Sequence, residues 1–218
     1  MGKSTREQSI QDMARTTIRL AVLIPTTSGF VSAPTAASVG NLVQRFQAAI
    51  YEDGHHEVRV FHRQGEILPV VRHQLIGDAI GWDATHTLFV DSDIIVPVDA
   101  PLFLIQHKQL ICGTNINRAD GPSAYRDGEQ VLLDDSKSGA EKVDGVCMGL
   151  VLADIRVFDA IDIPYFEHKQ IGDSPGFEPE FKHFWSELKQ AGIPCHIDND
   201  VSNNTQAITP WALPPTMN

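Results

Sequence analysis

The sequence predicts an α/β fold with a mostly parallel central sheet that is flanked by helices on both faces. Short apolar runs that suit buried strands alternate along the chain with stretches whose apolar residues recur at helical spacing. This alternation implies parallel strands joined by crossover helices, which cover both faces of the sheet. The length of 218 residues and the apolar content of 42% suit one domain with a sizeable core.

The individual elements follow in order along the chain. Strands are predicted at 17–25, 56–61, 86–90, 110–116 and 193–198. Helices are predicted at 68–82, 100–109 and 178–191. Ser32 is a candidate N-cap for one more helix, because Pro34 follows in its first turn. Residues 143–161 predict a strand followed by a helix.

The same patterns divide the chain into regions. Residues 1–17 are polar and of mixed charge, and this composition predicts a leader segment that precedes the domain. Residues 18–200 form the single domain, and 201–218 are expected to be an irregular tail. Residues 117–142 are polar and rich in Gly and Asp, which indicates a flexible loop or hairpin over one end of the sheet.

Charge and hydropathy exclude some classes of function. The net charge of −11 argues against a surface built to grip bare nucleic acid, which needs a basic patch. The first apolar run is too short to span a membrane and lacks the flanks of a signal peptide. The sequence therefore predicts a cytoplasmic protein, in the host cytoplasm if a phage encodes it.

The stretch HTLFVDSDIIVPV at 86–98 carries the main functional signal. Asp91 and Asp93 interrupt an apolar run where a predicted strand ends, and charges are rarely buried there unless paired or bound to a metal. In an extended chain this spacing puts both carboxylates on one side. Ligands of open α/β sheets bind at the carboxyl ends of the strands. The pair therefore predicts a site for Mg²⁺ or Mn²⁺.

The spacing alone also admits a structural interpretation. Aspartates that follow a strand commonly cap the next helix, and Asp198 and Asp200 repeat the same pattern elsewhere in the chain.

LFVDSDIIVP resembles the metal-binding Asp-x-Asp segment of GT-A-fold glycosyltransferases, a Rossmann-related fold, especially the small bacterial and phage-type enzymes. The resemblance extends over about residues 18–200. It is carried by AVLIPTTSGFVSAPTAASVGNL, LPVVRHQLIGDAI, LICGTNINR, VDGVCMGLVLADIRVFDAI and EFKHFWSELKQAGIPCHID, in that order.

The resemblance implies transfer of a sugar from a UDP- or GDP-linked donor, assisted by Mn²⁺ or Mg²⁺. Asp93 would bind the metal directly, and Asp91 would reach it through water or hold the donor ribose. The family often adds a His after the last strand as a further metal ligand. This chain has Asn203 and Asn204 there instead, and either, Asn204 first, would supply an oxygen ligand that is weaker than the His. The residues implied in nucleotide-sugar binding are Pro25, Thr26, Thr27, Arg63, Arg72, Asp91 and Ser92.

An inverting enzyme of this kind needs a general base near the acceptor hydroxyl. Glu180, Glu178 and Asp173 are the candidates, in that order, near the start of the late helix. Acids at a helix N-terminus also have a purely structural explanation, because the helix dipole favours them.

Two other functions stay open at the level of sequence. One is a nucleotidyltransferase, although PTTSGF lacks the basic residue that such enzymes carry after the first strand. The other is a non-catalytic module that binds a nucleotide or sugar. The acceptor could be a glycan, a protein, a lipid carrier or a modified nucleobase of DNA, and the sequence does not give the oligomeric state.

Overall fold

The computed structural model describes residues 17–49, 56–118, 121–168 and 179–208. The predicted leader, apart from residue 17, and the end of the predicted tail lie outside these ranges. Among the helices in the described ranges, none combines the length and apolarity needed to cross a membrane.

The elements alternate along the chain much as the hydrophobic pattern predicts. The strands are β1 (Arg19–Thr26), β2 (Glu57–Gln64), β3 (His86–Val90), β4 (Ile94–Ile95), β5 (Ile111–Gly113), β6 (Asn117–Arg118), β7 (Gly121–Pro122), β8 (Ala124–Arg126), β9 (Glu129–Gln130), β10 (Ala140–Val143), β11 (Gly145–Val146), β12 (Leu150–Asp154), β13 (Cys195–Asp198) and β14 (Gln206–Ala207). The helices are α1 (Ala33–Ala49), α2 (Leu68–Gly81), α3 (Ala100–Gln106), α4 (Glu180–Gln190) and α5 (Asn199–Asn204).

A mixed sheet of seven strands forms the centre of the molecule, in the order β10-β13-β5-β12-β3-β1-β2. β1 pairs in parallel with both β2 and β3, and β5 pairs in parallel with β13. β12 runs antiparallel between β3 and β5, and β10 runs antiparallel at the edge. Most strands therefore point the same way, which confirms the predicted fold class.

Helices pack on both faces of the sheet, and β1 shows how the sequence arranges this. Leu20 and Val22 face a core completed by α1 and α3, whereas Ala21 and Leu23 face a core completed by α2 and α4. Successive strand residues point to opposite faces, so a strand covered on both sides is apolar at every position.

The predicted N-cap of α1 is present. The Ser32 hydroxyl accepts a hydrogen bond from the Thr35 backbone N–H at 3.1 Å, which satisfies a free donor in the first turn. The Ser32 backbone N–H donates to the carbonyl of Ser92 at 3.0 Å. The start of α1 is thereby tied to the segment that contains Asp91 and Asp93.

The second half of the chain departs from the simple alternation. Within 117–142, where the sequence predicts a loop or hairpin, β8 and β9 form a hairpin, and β11 pairs with β8 to make a small antiparallel sheet. The helix predicted after β12 is a single 3-10 turn at Ile155–Val157, which begins where the Asp154 carboxylate accepts from the Arg156 N–H. Residues 201–208, predicted to be irregular, instead complete α5 and form β14, whose backbone pairs with β4.

Candidate functional site

The candidate site lies at the edge of the sheet where the parallel strands end. Asp91 follows β3 directly, and its backbone N–H donates to the carbonyl of Gly149, which precedes β12, at 2.9 Å. β12 runs opposite to β3, so its start lies at the same edge as the end of β3. Ligands of open α/β sheets bind at this edge.

Asp91, Ser92 and Asp93 form a turn and do not continue the strand. The Ile94 N–H donates to the carbonyl of Asp91 at 3.2 Å, which is the hydrogen bond of a β-turn. The sequence prediction had put both carboxylates on one side of an extended chain. The turn brings them together in a different way, because both carboxylates contact the same arginine.

That arginine is Arg118, which ends β6. Its Nη1 donates to Asp93 Oδ2 at 2.9 Å, and its Nη2 donates to Asp91 Oδ2 at 3.1 Å. Burial lowers the pKa of Arg118, but the charges of Asp91 and Asp93 outweigh this and raise it above its usual value. The guanidinium is therefore a permanent positive charge between the two carboxylates.

A second arginine, Arg72, approaches the site from α2. Its side chain is 3% exposed, and its Nη2 donates to Asp91 Oδ1 at 3.0 Å. Its Nε lies 3.4 Å from Glu180 Oε1 at the start of α4, without hydrogen-bond geometry. Nε and Nη1 of Arg72 are both buried without a hydrogen-bond partner in the described structure. A buried donor left unpaired is costly, so Arg72 calls for an anion or water in this place.

The predicted site residues Arg72, Asp91, Asp93 and Glu180 are thus brought together. The contacts form a chain from Glu180 through Arg72, Asp91 and Arg118 to Asp93. Glu180 is itself 8% exposed. These five charged groups form one half-buried cluster.

The residues after β1 are divided between the core and the surface. Pro25 and Thr26 are buried, and the Thr26 hydroxyl lies 3.2 Å from His62 Nε2 and donates to the Arg63 carbonyl at 3.3 Å. Thr27 is exposed. The Thr26 hydroxyl therefore bonds to the neighbouring strand β2, whereas Thr27 and the half-buried Ser92 have surface available to a ligand.

Arg63 points to a different partner. Its Nη2 donates to Asp78 Oδ1 at 2.7 Å, and this hydrogen bond together with the carboxylate charge raises the pKa of the guanidinium. Asp78 lies on α2, so the pair joins β2 to the neighbouring helix at the surface. The structure gives Arg63 this local partner and no contact with Asp91 or Asp93.

The remaining predicted residues are placed as follows. Asn204 is exposed, and its amide donates to the backbone carbonyl of Asp200 at 2.8 Å within α5. The backbone that runs beside Asp93 is instead that of Ile208, whose N–H donates to the Asp93 carbonyl at 2.8 Å. Glu178 and Asp173 lie outside the described residues.

The described residues do not fit a divalent metal ion in this arrangement. Hard cations need several oxygen ligands, and no group of three or more His, Cys, Asp or Glu side chains suited to a metal occurs within the described ranges. The two available carboxylates are both bonded to Arg118. A metal could use them only after the guanidinium had moved away.

A cavity of about 550 Å³ opens beside Arg118. Tyr125, Phe181 and Trp185 supply aromatic walls, with the rings of Tyr125 and Phe181 6.4 Å apart at their centroids. The Trp185 indole N–H donates to the Val146 carbonyl at 2.6 Å, which fixes the ring. Clefts of this size, with apolar walls and a few polar groups, are typical of small-ligand sites.

Arg118 and Gly149 are the site residues that sequence reasoning missed. Arg118 stands at the end of LICGTNINR, two residues after the predicted strand 110–116. Because ligands bind where such strands end, its place in the sequence could have predicted that it belongs to the site. Gly149 matches the glycine that precedes an apolar strand in the resembling segment, but its contact with Arg118 was not predictable, because that side chain comes from a distant part of the chain.

Comparisons with known proteins place the chain at the level of fold. No protein-family profile and no curated protein sequence matches it. Among solved structures it is similar to A197 from STIV, with a TM-score of 0.54 and 14% identity over 90% of this chain and 97% of that one.

Two enzyme structures are more distantly similar. A Drosophila β-1,4-galactosyltransferase 7, in complex with manganese, UDP-Gal and xylobiose, matches with a TM-score of 0.48 and 11% identity over 88% of this chain and 71% of that one. A nucleoside-diphosphate-sugar pyrophosphorylase from Vibrio cholerae matches with a TM-score of 0.46 and 10% identity over 81% and 91%. At 14% identity the likeness to A197 describes a shared fold alone, and the site must be interpreted from its own residues.

Proposed function

We propose that the protein is a glycosyltransferase that moves a sugar from a nucleotide-diphosphate sugar to a hydroxyl acceptor. The observation that carries this proposal is the cluster of Arg72, Arg118, Asp91 and Asp93 at the ligand-binding edge of the sheet. A structural cluster would satisfy its own buried donors, whereas Arg72 keeps two of them unpaired. A diphosphate would supply acceptor oxygens for this guanidinium once the side chains that cover it, Glu180 among them, move aside.

The donor molecule would extend from the loop after β1 to the two arginines. Thr27 and Ser92 would contact the base and ribose of UDP or GDP, with Asp91 as a further acceptor for a ribose hydroxyl. The backbone hydrogen bond from Ser32 to Ser92 holds these two segments side by side. Pro25 and Thr26 would shape the floor of this region from inside β1.

The proposed chemistry develops negative charge on the departing diphosphate as the bond to the sugar breaks. Fixed positive groups that face developing charge stabilise a transition state without reorganising, and charged hydrogen bonds are the stronger kind. Arg72 is suited to this because burial and its contact with Asp91 hold its guanidinium in place. Arg118 adds a second guanidinium within the same cluster.

Glu180 is the proposed general base that takes the proton of the acceptor hydroxyl. It is the one candidate base within the described residues, and its carboxylate lies beside Arg72. The cavity next to Arg118 would hold the acceptor, whose ring faces would pack on Tyr125, Phe181 and Trp185. A glycan or a nucleobase offers such faces.

A non-catalytic nucleotide or sugar binder is the second candidate. It is favoured by one observation, that the three carboxylates of the cluster are already paired with arginines. Such a protein would bind the same donor and leave it intact.

The test is calorimetric titration of UDP, GDP and their sugars into the wild type, Arg72→Met and Arg156→Met. Arg156 is a suitable control because it pairs with Asp154 at the opposite edge of the sheet and is largely exposed. Loss of a charged hydrogen bond predicts that Arg72→Met weakens binding by at least about tenfold, with Arg156→Met unchanged.

An assay for released nucleoside diphosphate detects hydrolysis or transfer of the sugar. Such release would distinguish a glycosyltransferase from a non-catalytic binder. If none of these nucleotides binds the wild type, the proposed function is wrong. Equal weakening in both variants would also contradict the role given to Arg72.

A further inference from the structure

Arg118 lies where a cation is expected between Asp91 and Asp93. Its two terminal nitrogens contact one carboxylate each, at 3.1 and 2.9 Å, and Nη2 also approaches the second oxygen of Asp93 at 3.5 Å. This is a bridging arrangement, in which one cation neutralises two acids. A planar guanidinium suits it because its donors point in fixed, divergent directions.

The backbone around Arg118 provides room for this guanidinium. A Cβ atom at Gly149 would lie 3.1 Å from Arg118 Nη2 and 2.8 Å from Ile116 Cδ1. The Gly149 carbonyl also accepts from the Asp91 N–H, so the glycine adjoins both members of the ion pair. The close packing indicates that the arginine is a built part of the site rather than a surface side chain that happens to reach it.

The guanidinium keeps donors available for a ligand. The contacts with Asp91 and Asp93 do not use all of its N–H groups, because Nε–H and one hydrogen of Nη1 are not needed for them. Arg72 contributes a buried Nη1 without a partner to the same cluster. Arg118 can therefore donate to a diphosphate while the carboxylates hold it in position, and Arg72 can do so once its Nη1 is uncovered.

We infer that Arg118 takes the place of a divalent metal ion at Asp91 and Asp93, so that this chain binds a nucleoside diphosphate without a metal. The part of the inference that concerns the diphosphate rests on the proposed function. The part that concerns the metal does not, because it depends only on Arg118 and the two carboxylates.

The first experiment titrates Mn²⁺ into the nucleotide-free protein and follows free Mn²⁺ by electron paramagnetic resonance. The wild type, Arg118→Ala, Arg118→Lys and the control Arg156→Ala are compared, after circular dichroism shows that each is folded. Removing the guanidinium frees two carboxylates, so we expect Arg118→Ala to bind Mn²⁺ at least about tenfold more tightly than the wild type.

The two other variants isolate the role of the charge. Arg118→Lys keeps a positive group and should bind Mn²⁺ as weakly as the wild type, whereas the uncharged Arg118→Gln replaces Arg118→Ala if that variant does not fold. Arg156→Ala should match the wild type. Wild-type affinity equal to or above that of Arg118→Ala, or of Arg118→Gln where that variant replaces it, overturns the inference.

The second experiment measures UDP affinity of the wild type and Arg118→Ala in EDTA and in Mn²⁺. We expect wild-type affinity to be the same in both solutions, and the Arg118→Ala affinity in EDTA to fall by about tenfold or more. An increase of wild-type affinity of that size on adding Mn²⁺ contradicts the inference. Absence of UDP binding in every solution refutes the proposed function alone, and the Mn²⁺ titration then still decides the role of Arg118.

Discussion

At the scale of single residues, the main feature of the site is that each partly buried carboxylate is paired with an arginine. Asp91 is about one-fifth exposed and has an arginine on each side, Arg72 and Arg118. Breaking a buried ion pair by removing one partner is strongly destabilising, because the other charge stays behind in a low-dielectric environment. The five charges of the cluster are therefore expected to respond together to substitutions.

Gly149→Ala tests this packing without removing any charge. The added Cβ would lie 2.8 Å from Ile116 Cδ1, which must move, and 3.1 Å from Arg118 Nη2, which must give way slightly. We expect the free energy of unfolding to fall by about 1–3 kcal/mol, as for other overpacked sites, and the affinity for UDP to fall with it. Urea denaturation and calorimetry measure the two effects.

Gly77→Ala is the matched control, because a Cβ there meets nothing within 4 Å in the interior of α2. Alanine is the better helix former, so this variant should be more stable than the wild type by about 0.5–1 kcal/mol. A Gly149→Ala protein as stable as Gly77→Ala would show that the guanidinium is not tightly held.

At the scale of secondary-structure elements, the helices α1 and α2 hold parts of the site in position. α1 begins at a cap whose residue, Ser32, also bonds to the turn between Asp91 and Asp93 through its backbone. α2 buries Arg72 together with the apolar residues on either side of it, Val71 and Leu75. A helix interior is a rigid support, which suits a residue that must hold a charge in a fixed place.

Ser32→Ala tests the cap. The substitution removes the acceptor of the Thr35 N–H and the hydroxyl contact with Thr35 Oγ1 at 2.8 Å. Loss of an N-cap predicts a decrease of about 1 kcal/mol in the free energy of unfolding, measured by urea denaturation. Ser28→Ala, at an exposed hydroxyl four residues earlier, should change it by less than about 0.5 kcal/mol. Equal effects of the two substitutions would argue against the cap.

At the scale of the whole molecule, two apolar cores hold a mixed sheet between them. The sheet carries the acidic turn and the basic groups to one edge, while the inner positions of β1, β3 and β12 are uncharged. His86 is a titratable residue at the other edge, at the start of β3. Burial is the main cause that lowers its pKa; Arg156 lowers it further and Asp154 opposes this.

The lowered pKa of His86 predicts a loss of stability in acid. Between the folded and the unfolded pKa, the unfolded chain binds more protons at this position, so acid favours unfolding. The contribution is fully present above the unfolded value of 6.5 and is lost as the pH falls below it. His86→Gln removes the proton acceptor and should flatten this part of the pH dependence.

Urea denaturation of the wild type and His86→Gln at about pH 7.5 and about pH 5.5 measures the effect on either side of the unfolded pKa. The free energy of unfolding should decrease on acidification in the wild type and decrease less in the variant. His62→Gln is the control, since this histidine is exposed on the edge strand β2. An equal decrease in wild type and His86→Gln would refute the prediction.

The order of strands and helices in the first half was predictable because short-range hydrophobic patterns determine it. β3 begins and ends where the apolar run does, and the apolar residues of α1 recur every three or four positions. The pattern failed where contacts between distant segments decide the structure. β14 exists only because Ile94 and Ile95 offer it a partner strand, and the helix predicted after β12 is one turn.

The same distinction applies to the site. The sequence by itself determined that Asp91 and Asp93 follow a buried strand and that an arginine stands on the preceding helix, since both facts depend on neighbours along the chain. Only the tertiary structure decided which positive group neutralises the charges of Asp91 and Asp93. Arg118 is 25 positions from Asp93 in sequence, and Gly149 leaves room for it from yet another strand. Charge compensation depends on distances in space, which a linear pattern of residues does not contain.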